Sequence, residues 1–240
     1  MRFTTLIGLA ALTLTTAAQA APNLVQNGGF ETSTYTQNSQ FGTAFGGQGI
    51  ANWTGNGGYN LYEIGGTQST TNALGQYAYT GNEYFPTVAN VASPNGGNFV
   101  ALDGDAAPNV QGAISQMING LSVGKTYTLA FNWAASQLRS RTGSTSERFG
   151  VTLGSDLNVV TPTLMIASQG FSGWKTQKYN FTATTGSAVL NFLSMGTPSG
   201  LPPVAFLDGV SVTQTPEPAA LGLMGLGMAA LALRLRRRQG

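Results

Sequence analysis

The sequence predicts an all-β fold in which two sheets pack face to face. Short runs of alternating apolar and polar residues recur along the chain. Gly, Asn, Ser and Pro bound these runs, as is typical of half-buried strands. No long stretch shows the 3.6-residue period of an amphipathic helix. About eight to ten runs follow one another at the spacing expected of a β-sandwich.

The clearest strand is predicted over residues 127–133, where four large apolar side chains fall on one face. These are Tyr127, Leu129, Phe131 and Trp133. The same alternation predicts further strands, and these lie over residues 98–102, 113–118, 151–153, 179–181, 189–195 and 204–212. Residues 24–25 and Trp53 complete the set. Residues 136–148 are polar and charged, and they predict a hairpin loop between two strong strands.

The first twenty residues have the composition of a secretory signal peptide. Arg2 supplies a positive charge, residues 6–14 are apolar, and residues 18–20 (Ala-Gln-Ala) form a small-residue cleavage site. The apolar stretch is too short to span a bilayer permanently. The alternative is a buried N-terminal helix. Cleavage of residues 1–20 by signal peptidase predicts a mature chain that begins at Ala21.

The other end carries a short apolar segment with charges behind it. Pro216, Glu217 and Pro218 precede an uninterrupted apolar and glycine run over residues 219–233. Four arginines follow, at Arg234, Arg236, Arg237 and Arg238. Fifteen helical residues span about 22 Å, less than the roughly 30 Å of a hydrocarbon core, but arginine side chains can reach the interface. The positive cluster predicts a transmembrane helix with its end in the cytoplasm and the body outside.

This order of features resembles the PEP-CTERM sorting signal of Gram-negative bacteria, whose three-residue motif matches Pro216, Glu217 and Pro218. The resemblance implies that the chain is held transiently in the inner membrane. An exosortase, which is a membrane cysteine protease, then cuts near the motif and the body reaches the cell surface or the medium. The family is associated with bacteria that make exopolysaccharide, the material of biofilms. An ordinary tail anchor is the alternative.

The basic balance of the chain belongs to its two ends. Of 11 Lys and Arg residues, Arg2 and the four tail arginines lie there, which leaves six in the body. Of nine acidic residues only Glu217 lies there, which leaves eight, so the body carries about −2 and is no candidate for nucleic-acid binding. The chain has no His and no Cys, which excludes a Ser-His-Asp triad, a cysteine nucleophile and the usual zinc sites.

The chain is therefore divided into a signal peptide (1–20), one β-sandwich domain (21–215) and a sorting tail (216–240). A domain of this length is ordinary for an all-β fold. Residues 32–94 form an insertion rich in Gly, Asn, Thr and Tyr. Disordered segments are poor in aromatic residues, so ordered loops and short strands are expected here.

Several body segments, taken in order, are similar to galactose-binding-like jelly rolls, a group that includes carbohydrate-binding modules. They are residues 23–31 (NLVQNGGFE), 99–104 (FVALDG), 114–116 (ISQ), 121–131 (LSVGKTYTLAF), 171–174 (FSGW) and 206–212 (FLDGVSV). The resemblance implies a jelly-roll β-sandwich, and in this group sugar binding is common. It also implies a structural calcium ion beside Glu31 and Asp208, near the meeting point of the first and last strands. Oxygen ligands in irregular loops suit calcium; the alternative is that both carboxylates cap turns.

Aromatic rings are the usual stacking surface for sugars, because a pyranose face is apolar. The candidates for this role are Trp53, Tyr59, Tyr62, Tyr79 and Tyr84. For Trp53 a place in the core is the alternative, and Trp133 and Trp174 are expected to fill the core or brace a strand. Asp103 and Asp105 are close enough in sequence to pair as catalytic carboxylates, but Gly104 favours a turn.

These observations predict a non-enzymatic envelope or matrix protein that contacts extracellular polysaccharide. A structural or adhesive protein without a small ligand is the alternative, and a glycosidase is a third possibility. Outward-facing aromatic rings would favour sugar binding, and burial of those rings would favour the structural role.

Overall fold

The computed structural model describes residues 21–36, 39–42, 49–64, 76–77, 82–83, 92–107, 109–137, 141–201 and 203–215. Within these ranges the chain forms strands, in the following order: β1 Ser39–Phe41, β2 Thr54–Gly57, β3 Asn60–Glu63, β4 Gln76–Tyr77, β5 Asn82–Glu83, β6 Phe99–Asp103, β7 Gly112–Asn119, β8 Thr126–Gln137, β9 Thr145–Leu153, β10 Leu157–Val160, β11 Leu164–Ile166, β12 Lys175–Thr182, β13 Ser187–Thr197 and β14 Pro203–Gln214.

Two antiparallel sheets contain most of these strands. The first sheet has the order β1-β3-β6-β14-β8-β12, and the second has the order β10-β9-β13-β7-β2, with β11 paired to β9. Strands β4 and β5 form a separate two-stranded ribbon. Strands adjacent in a sheet are mostly distant in sequence, as in a jelly roll, where the chain passes back and forth between two sheets.

The main core lies between the two sheets and is rich in aromatic rings. Phe131 of the first sheet meets Phe192 of the second edge to face, with ring centroids 5.0 Å apart. Trp133 and Phe149 make a second contact across the interface, at 5.8 Å. Because alternate strand residues point to opposite faces, the predicted alternation over 127–133 places its large side chains in this core.

A smaller apolar cluster covers part of the outer face of the first sheet. Its buried members are Leu61, Phe99, Ala101, Ala134, Val204 and Phe206. Trp174 lies against it, with its ring 5.5 Å from Phe99 in an edge-to-face contact. The expected bracing role of Trp174 is therefore confirmed, and the outer face of this sheet is partly a second core.

The first residues of the body close the sandwich against its last strand. The Leu24 backbone N–H donates to the Val212 carbonyl (2.9 Å), and the Val210 N–H donates to the Gly28 carbonyl (2.9 Å). Strand β14 carries a bulge between Asp208 and Ser211, where its pairing with β8 shifts register. A bulge bends its strand. On the other edge of β14, β6 pairs only with Val204 to Leu207, and the N-terminal segment bonds that edge farther along the strand.

The predicted all-β sandwich is confirmed, and most of the predicted strands coincide with β6, β7, β8, β9, β12, β13 and β14. The prediction of strands at residues 24–25 and at Trp53 is wrong, because these residues lie outside the strands. The prediction of a loop over residues 136–148 is wrong at both ends, because β8 continues to Gln137 and β9 begins at Thr145. Ser136, Gln137, Thr145 and Glu147 are fully buried polar residues. The apolar alternation that predicts a strand is missing here because several buried positions are polar, and Gln137, Thr145 and Glu147 each bury one side-chain atom that has no hydrogen-bond partner.

Candidate functional site

The predicted sugar-stacking rings occupy different places in the structure. Trp53 is 3% exposed and lies in the main core, 5.2 Å from the Phe30 ring, with its indole N–H bonded to the Asn27 carbonyl at 3.0 Å. Tyr62 is 1% exposed, and its hydroxyl donates to the Phe30 carbonyl at 2.9 Å. Neither ring offers a face to a ligand, which corrects the expectation for these two residues.

Tyr59 is the candidate ring that the structure leaves open, with 44% of its surface exposed. It lies just before β3, and its backbone N–H donates to the Val110 carbonyl at 2.9 Å. Tyr79 and Tyr84 lie outside the described residues. The set of five rings therefore does not form one stacking surface in the described part of the chain.

Glu31 and Asp208 lie close together, as the resemblance implies. Asp208 is within β14, at the bulge, and is fully buried. Its carboxylate accepts hydrogen bonds from the Ser93 hydroxyl and from the Gly209 backbone N–H. Glu31 is exposed and accepts from the Asn98 N–H at 2.7 Å. The loop of residues 93–98 is thus bonded to both carboxylates.

Glycines create the space between these groups. A Cβ atom on Gly29 would lie 3.8 Å from an Asp208 carboxylate oxygen, 3.8 Å from the Glu31 side chain and 2.8 Å from the Asn95 amide nitrogen. A Cβ on Gly97 would overlap the Glu31 carboxylate, 1.8 Å from its oxygen. The three chain segments can approach one another only because these positions lack side chains.

The electrostatics of the pair favour a bound positive charge. Burial raises the pKa of Asp208 to about 7, and the negative charge of Glu31 adds to this, while hydrogen bonds from Ser93, Gly209 and Asn95 oppose it. A cation near two repelling carboxylates stabilises the ionised form of both. The donor set is entirely oxygen and amide groups, so the residues present fit calcium.

The carboxylates alone would not complete a calcium shell. Among the described residues, no group of three or more His, Cys, Asp or Glu side chains is placed to hold a metal ion. A calcium ion takes six to eight oxygen ligands. The remaining ligands at Glu31 and Asp208 would have to be hydroxyl, amide, backbone and water oxygens.

The outer face of the second sheet presents a row of hydroxyl and amide side chains, one from each of five of its six strands. The row consists of Thr54, Ser115, Asn191, Thr152 and Asn158, which are neighbours in the register of the sheet. All five are at least partly exposed. Since adjacent strands are about 4.8 Å apart, this polar row extends about 19 Å across the sheet.

Apolar residues flank the polar row on both sides. Met117 and Val189 are paired on one side and are 53% and 43% exposed. On the other side, Leu193 pairs with Gly150, which pairs with the 51% exposed Val160. None of these residues is charged. The row and its flanks combine hydrogen-bonding groups with apolar surface, and the exposed Arg148, paired with Met195, lies farther along the same face.

The buried carboxylate of Glu147 was missed by sequence reasoning, and Asp103 was considered only together with Asp105. Glu147 in β9 is fully buried, and one of its oxygens has no hydrogen-bond partner, while the other accepts from the Arg148 and Met195 N–H groups. Burial raises the pKa of Glu147 to about 8. Asp103 is nearby, and burial raises its pKa to about 7. Nothing in the sequence indicates that Glu147 is buried, because its neighbours Ser146 and Arg148 are polar and charged.

Asp103 and Asp105 form a turn, as Gly104 suggests. The Asp105 N–H donates to the Asp103 carboxylate at 2.8 Å, and the Ala107 N–H donates to the Asp105 carboxylate at 2.9 Å. Asp103 and Asp105 are each 6% exposed. A substrate has no open path to either as they stand.

Within the described ranges, no helix is long and apolar enough to cross a membrane. The predicted signal peptide, the tail helix over 219–233 and the arginine cluster all lie outside those ranges.

The fold is that of an all-β sandwich protein. Comparison with family models shows which family the chain belongs to. Residues 23–204 match a family described as "Protein of unknown function (DUF642)". This match covers most of the chain, so the chain belongs to that family. Residues 214–238 match the PEP-CTERM protein-sorting motif. The protein is therefore exported and sorted to the surface by a C-terminal tail, and the predicted sorting signal is confirmed.

No curated protein matches the chain. Among solved structures, it is similar to a cyclase from Fischerella sp. TAU, at 17% identity over 83% of this chain and 98% of that chain, with a TM-score of 0.47. It is also similar to TmCBM61 in complex with beta-1,4-galactotriose, at 14% identity over 81% of this chain and 100% of that one (TM-score 0.40). A third is the CBM22-1 xylan-binding domain from Paenibacillus barcinonensis Xyn10C, at 12% identity over 82% and 97% (TM-score 0.37).

Proposed function

We propose that this protein is a non-enzymatic component of the cell surface or extracellular matrix of a Gram-negative bacterium, and that it contacts extracellular polysaccharide. Signal peptidase and an exosortase would process its two ends. The polar row on the second sheet is the observation that supports a polysaccharide ligand. Hydroxyl and amide groups bond sugar hydroxyls in either direction, and the apolar flanks can cover the apolar faces of sugar rings.

The lack of charged residues in the polar row and its flanks favours neutral polysaccharides. The polar row and its two flanks contain no acidic or basic residue. Binding would therefore rest on hydrogen bonds and apolar contact, and it would depend weakly on salt. Affinity for an isolated oligosaccharide would be modest, because each contact is small and association has an entropic cost. A neutral glycan is the expected ligand.

Binding assays on the mature secreted protein test this proposal. Replacing Thr152 and Asn191 by Ala should reduce retention on a matching glycan array, because both side chains lie in the middle of the row. The matched control replaces Thr176 and Asn180, which are exposed polar residues on β12 of the first sheet. If both pairs of variants retain the glycan equally, the second sheet is not the binding face.

A structural or adhesive role is the second candidate, and the burial of Trp53 and Tyr62 favours it. The exposed Met117, Val160 and Val189 would suit a protein partner as well as a sugar. Under this alternative, no glycan on the array is retained, and replacing Met117 and Val189 by Ser abolishes capture of a partner protein from the cell surface.

We further propose a structural calcium ion at Glu31 and Asp208. The space beside Gly29, the oxygen-rich surroundings and the repulsion between the two carboxylates support it. Calcium would link the first segment of the body, the loop 93–98 and strand β14. Its contribution would be to stability and not to chemistry.

A further inference from the structure

The sorting signal begins where the last strand ends. The family match to the PEP-CTERM motif starts at residue 214, and β14 spans Pro203–Gln214. Gln214 is paired with Tyr127 of β8 in the first sheet. The body and the tail therefore share their boundary residue, with no linker between them.

Thr215 is also held by the sheet. Its backbone N–H donates to the Thr126 carbonyl at 2.9 Å. Its hydroxyl lies 3.1 Å from the Thr128 hydroxyl, within hydrogen-bond distance. On the other edge of the strand, the Leu24 N–H bonds the Val212 carbonyl at 2.9 Å. The chain is thus bonded to the folded body up to the residue before Pro216.

Only three residues separate Thr215 from the apolar run. Residues 216–218 (Pro-Glu-Pro) span at most about 11 Å when fully extended. Both prolines have a fixed φ and lack an N–H, and each restricts the residue before it to extended conformations. A spacer of this length cannot place a folded body far from the apolar segment.

A protease that cuts beside the motif needs access to the chain on both sides of the scissile bond. Extended peptides are recognised largely through main-chain hydrogen bonds. The Thr215 N–H already gives such a bond to the Thr126 carbonyl of β8, and Gln214 is held beside it in the register of the sheet. The protease and strand β8 would therefore compete for the same main-chain groups.

We propose that the folded body restrains the processing of its own tail, and that cleavage proceeds when Gln214 and Thr215 have left the first sheet. This inference rests on the proposed exosortase processing and adds its regulation. Strand ends open locally at much lower free energy than the whole domain, so the restraint slows cleavage without preventing it. One hydrogen bond of ordinary strength changes the open population about fivefold.

Pulse-chase measurement of tail removal from the full chain in the producing bacterium tests the inference. In the first variant, Gly-Ser-Gly-Ser is inserted between Thr215 and Pro216. The second variant, Thr128→Ala, removes the hydroxyl that faces Thr215. We expect removal to be several-fold faster with the insertion, and up to about fivefold faster with Thr128→Ala.

Two controls separate local release from general destabilisation. The same four residues are inserted after Gly200, in the exposed turn that precedes β14, at the opposite end of that strand from Gln214. Thr176→Ala removes a hydroxyl bond to Asn132 (2.8 Å), between the same two strands that the Thr128–Asn180 bond joins. Both controls should be processed at the wild-type rate.

The inference is overturned if the spacer after Thr215 and Thr128→Ala leave the rate unchanged while the wild-type tail is removed normally. It is also overturned if the insertion after Gly200 accelerates removal equally. If no variant and no wild-type protein loses its tail, the proposed processing itself is wrong, and the inference fails with it.

Discussion

The Ser93 hydroxyl donates a hydrogen bond to the buried Asp208 carboxylate, and this contact joins the end of the 32–94 insertion to the last strand of the sandwich. The same loop reaches Glu31 through the Asn98 N–H. Two carboxylates from opposite ends of the domain thus hold one loop, although they repel each other. A positive ion between them would remove that repulsion.

Calcium should therefore raise the melting temperature of the mature protein, because an ion that binds only the folded state stabilises it by mass action. Asp208→Ala should remove most of this rise, while Asp156→Ala, which changes a carboxylate in the β9–β10 turn, should leave it intact. Differential scanning calorimetry with calcium and with chelator measures the effect. Identical curves under both conditions would count against the site.

The calcium effect should also depend on pH. Burial raises the pKa of Asp208 to about 7, so protons compete with the ion below that pH. The apparent calcium affinity should fall as the pH is lowered from 8 to 6. Isothermal titration across this range measures it, and a constant affinity would show that Asp208 is not a ligand.

Large core rings should matter far more for stability than exposed rings. Trp133 is 1% exposed and contacts Phe149 of the opposite sheet, so Trp133→Ala should cost about 3 to 5 kcal/mol in unfolding free energy. Tyr59 is 44% exposed, and Tyr59→Ala should change stability by about 0.5 kcal/mol or less. Urea denaturation measures both. Equal losses would mean that Tyr59 is a core residue.

The alternation over residues 127–133 predicted a core strand correctly because the period of a half-buried strand is recorded directly in the sequence. The role of Trp53 could not be decided in this way, since a tryptophan suits a core and a ligand surface equally well. The polar row on the second sheet could not be predicted from the sequence, because its members come from five strands. Only the register brings Thr54, Asn191 and Asn158 into line.

The buried carboxylates show a second limit of sequence reasoning. Glu147 lies in a stretch of polar and charged residues that predicted a loop, yet it is 0% exposed within β9. Gly104 and Gly196 admit its carboxylate, because a Cβ at either position would lie within 2.6 Å of its oxygen. Such a fit depends on strands that are distant in the chain.

Stability should decline as the pH rises from about 4 to about 8. Burial raises the pKa of four carboxyls, those of Glu63 and Glu147 to about 8 and those of Asp103 and Asp208 to about 7. In the unfolded chain these groups titrate near 4. The folded state therefore binds more protons between these values, and the contribution of these four groups is fully present below about pH 4 and is lost as pH rises through the folded pKa.

Glu147→Gln isolates one of these contributions. Each such group gives a slope of at most about 1.4 kcal/mol per pH unit, and glutamine has no charge to bury. The variant should therefore lose less stability between pH 5 and 8 than the wild type. Urea midpoints in calcium-free buffer measure the slopes, and parallel curves would show that Glu147 does not titrate in this range.

The tail arginines should control sorting and not export. Replacing Arg234, Arg236, Arg237 and Arg238 by Ser leaves the predicted signal peptide intact, so the protein should still leave the cytoplasm. The apolar run over 219–233 is short for a bilayer, and without a cationic end its retention and orientation in the membrane should weaken.

Fractionation and mass spectrometry of the mature protein measure location and size. A matched variant with Arg141 and Arg148 of the body replaced by Ser controls for the loss of positive charge. If the tail variant has the same size and location as the wild type, the arginines have no part in sorting.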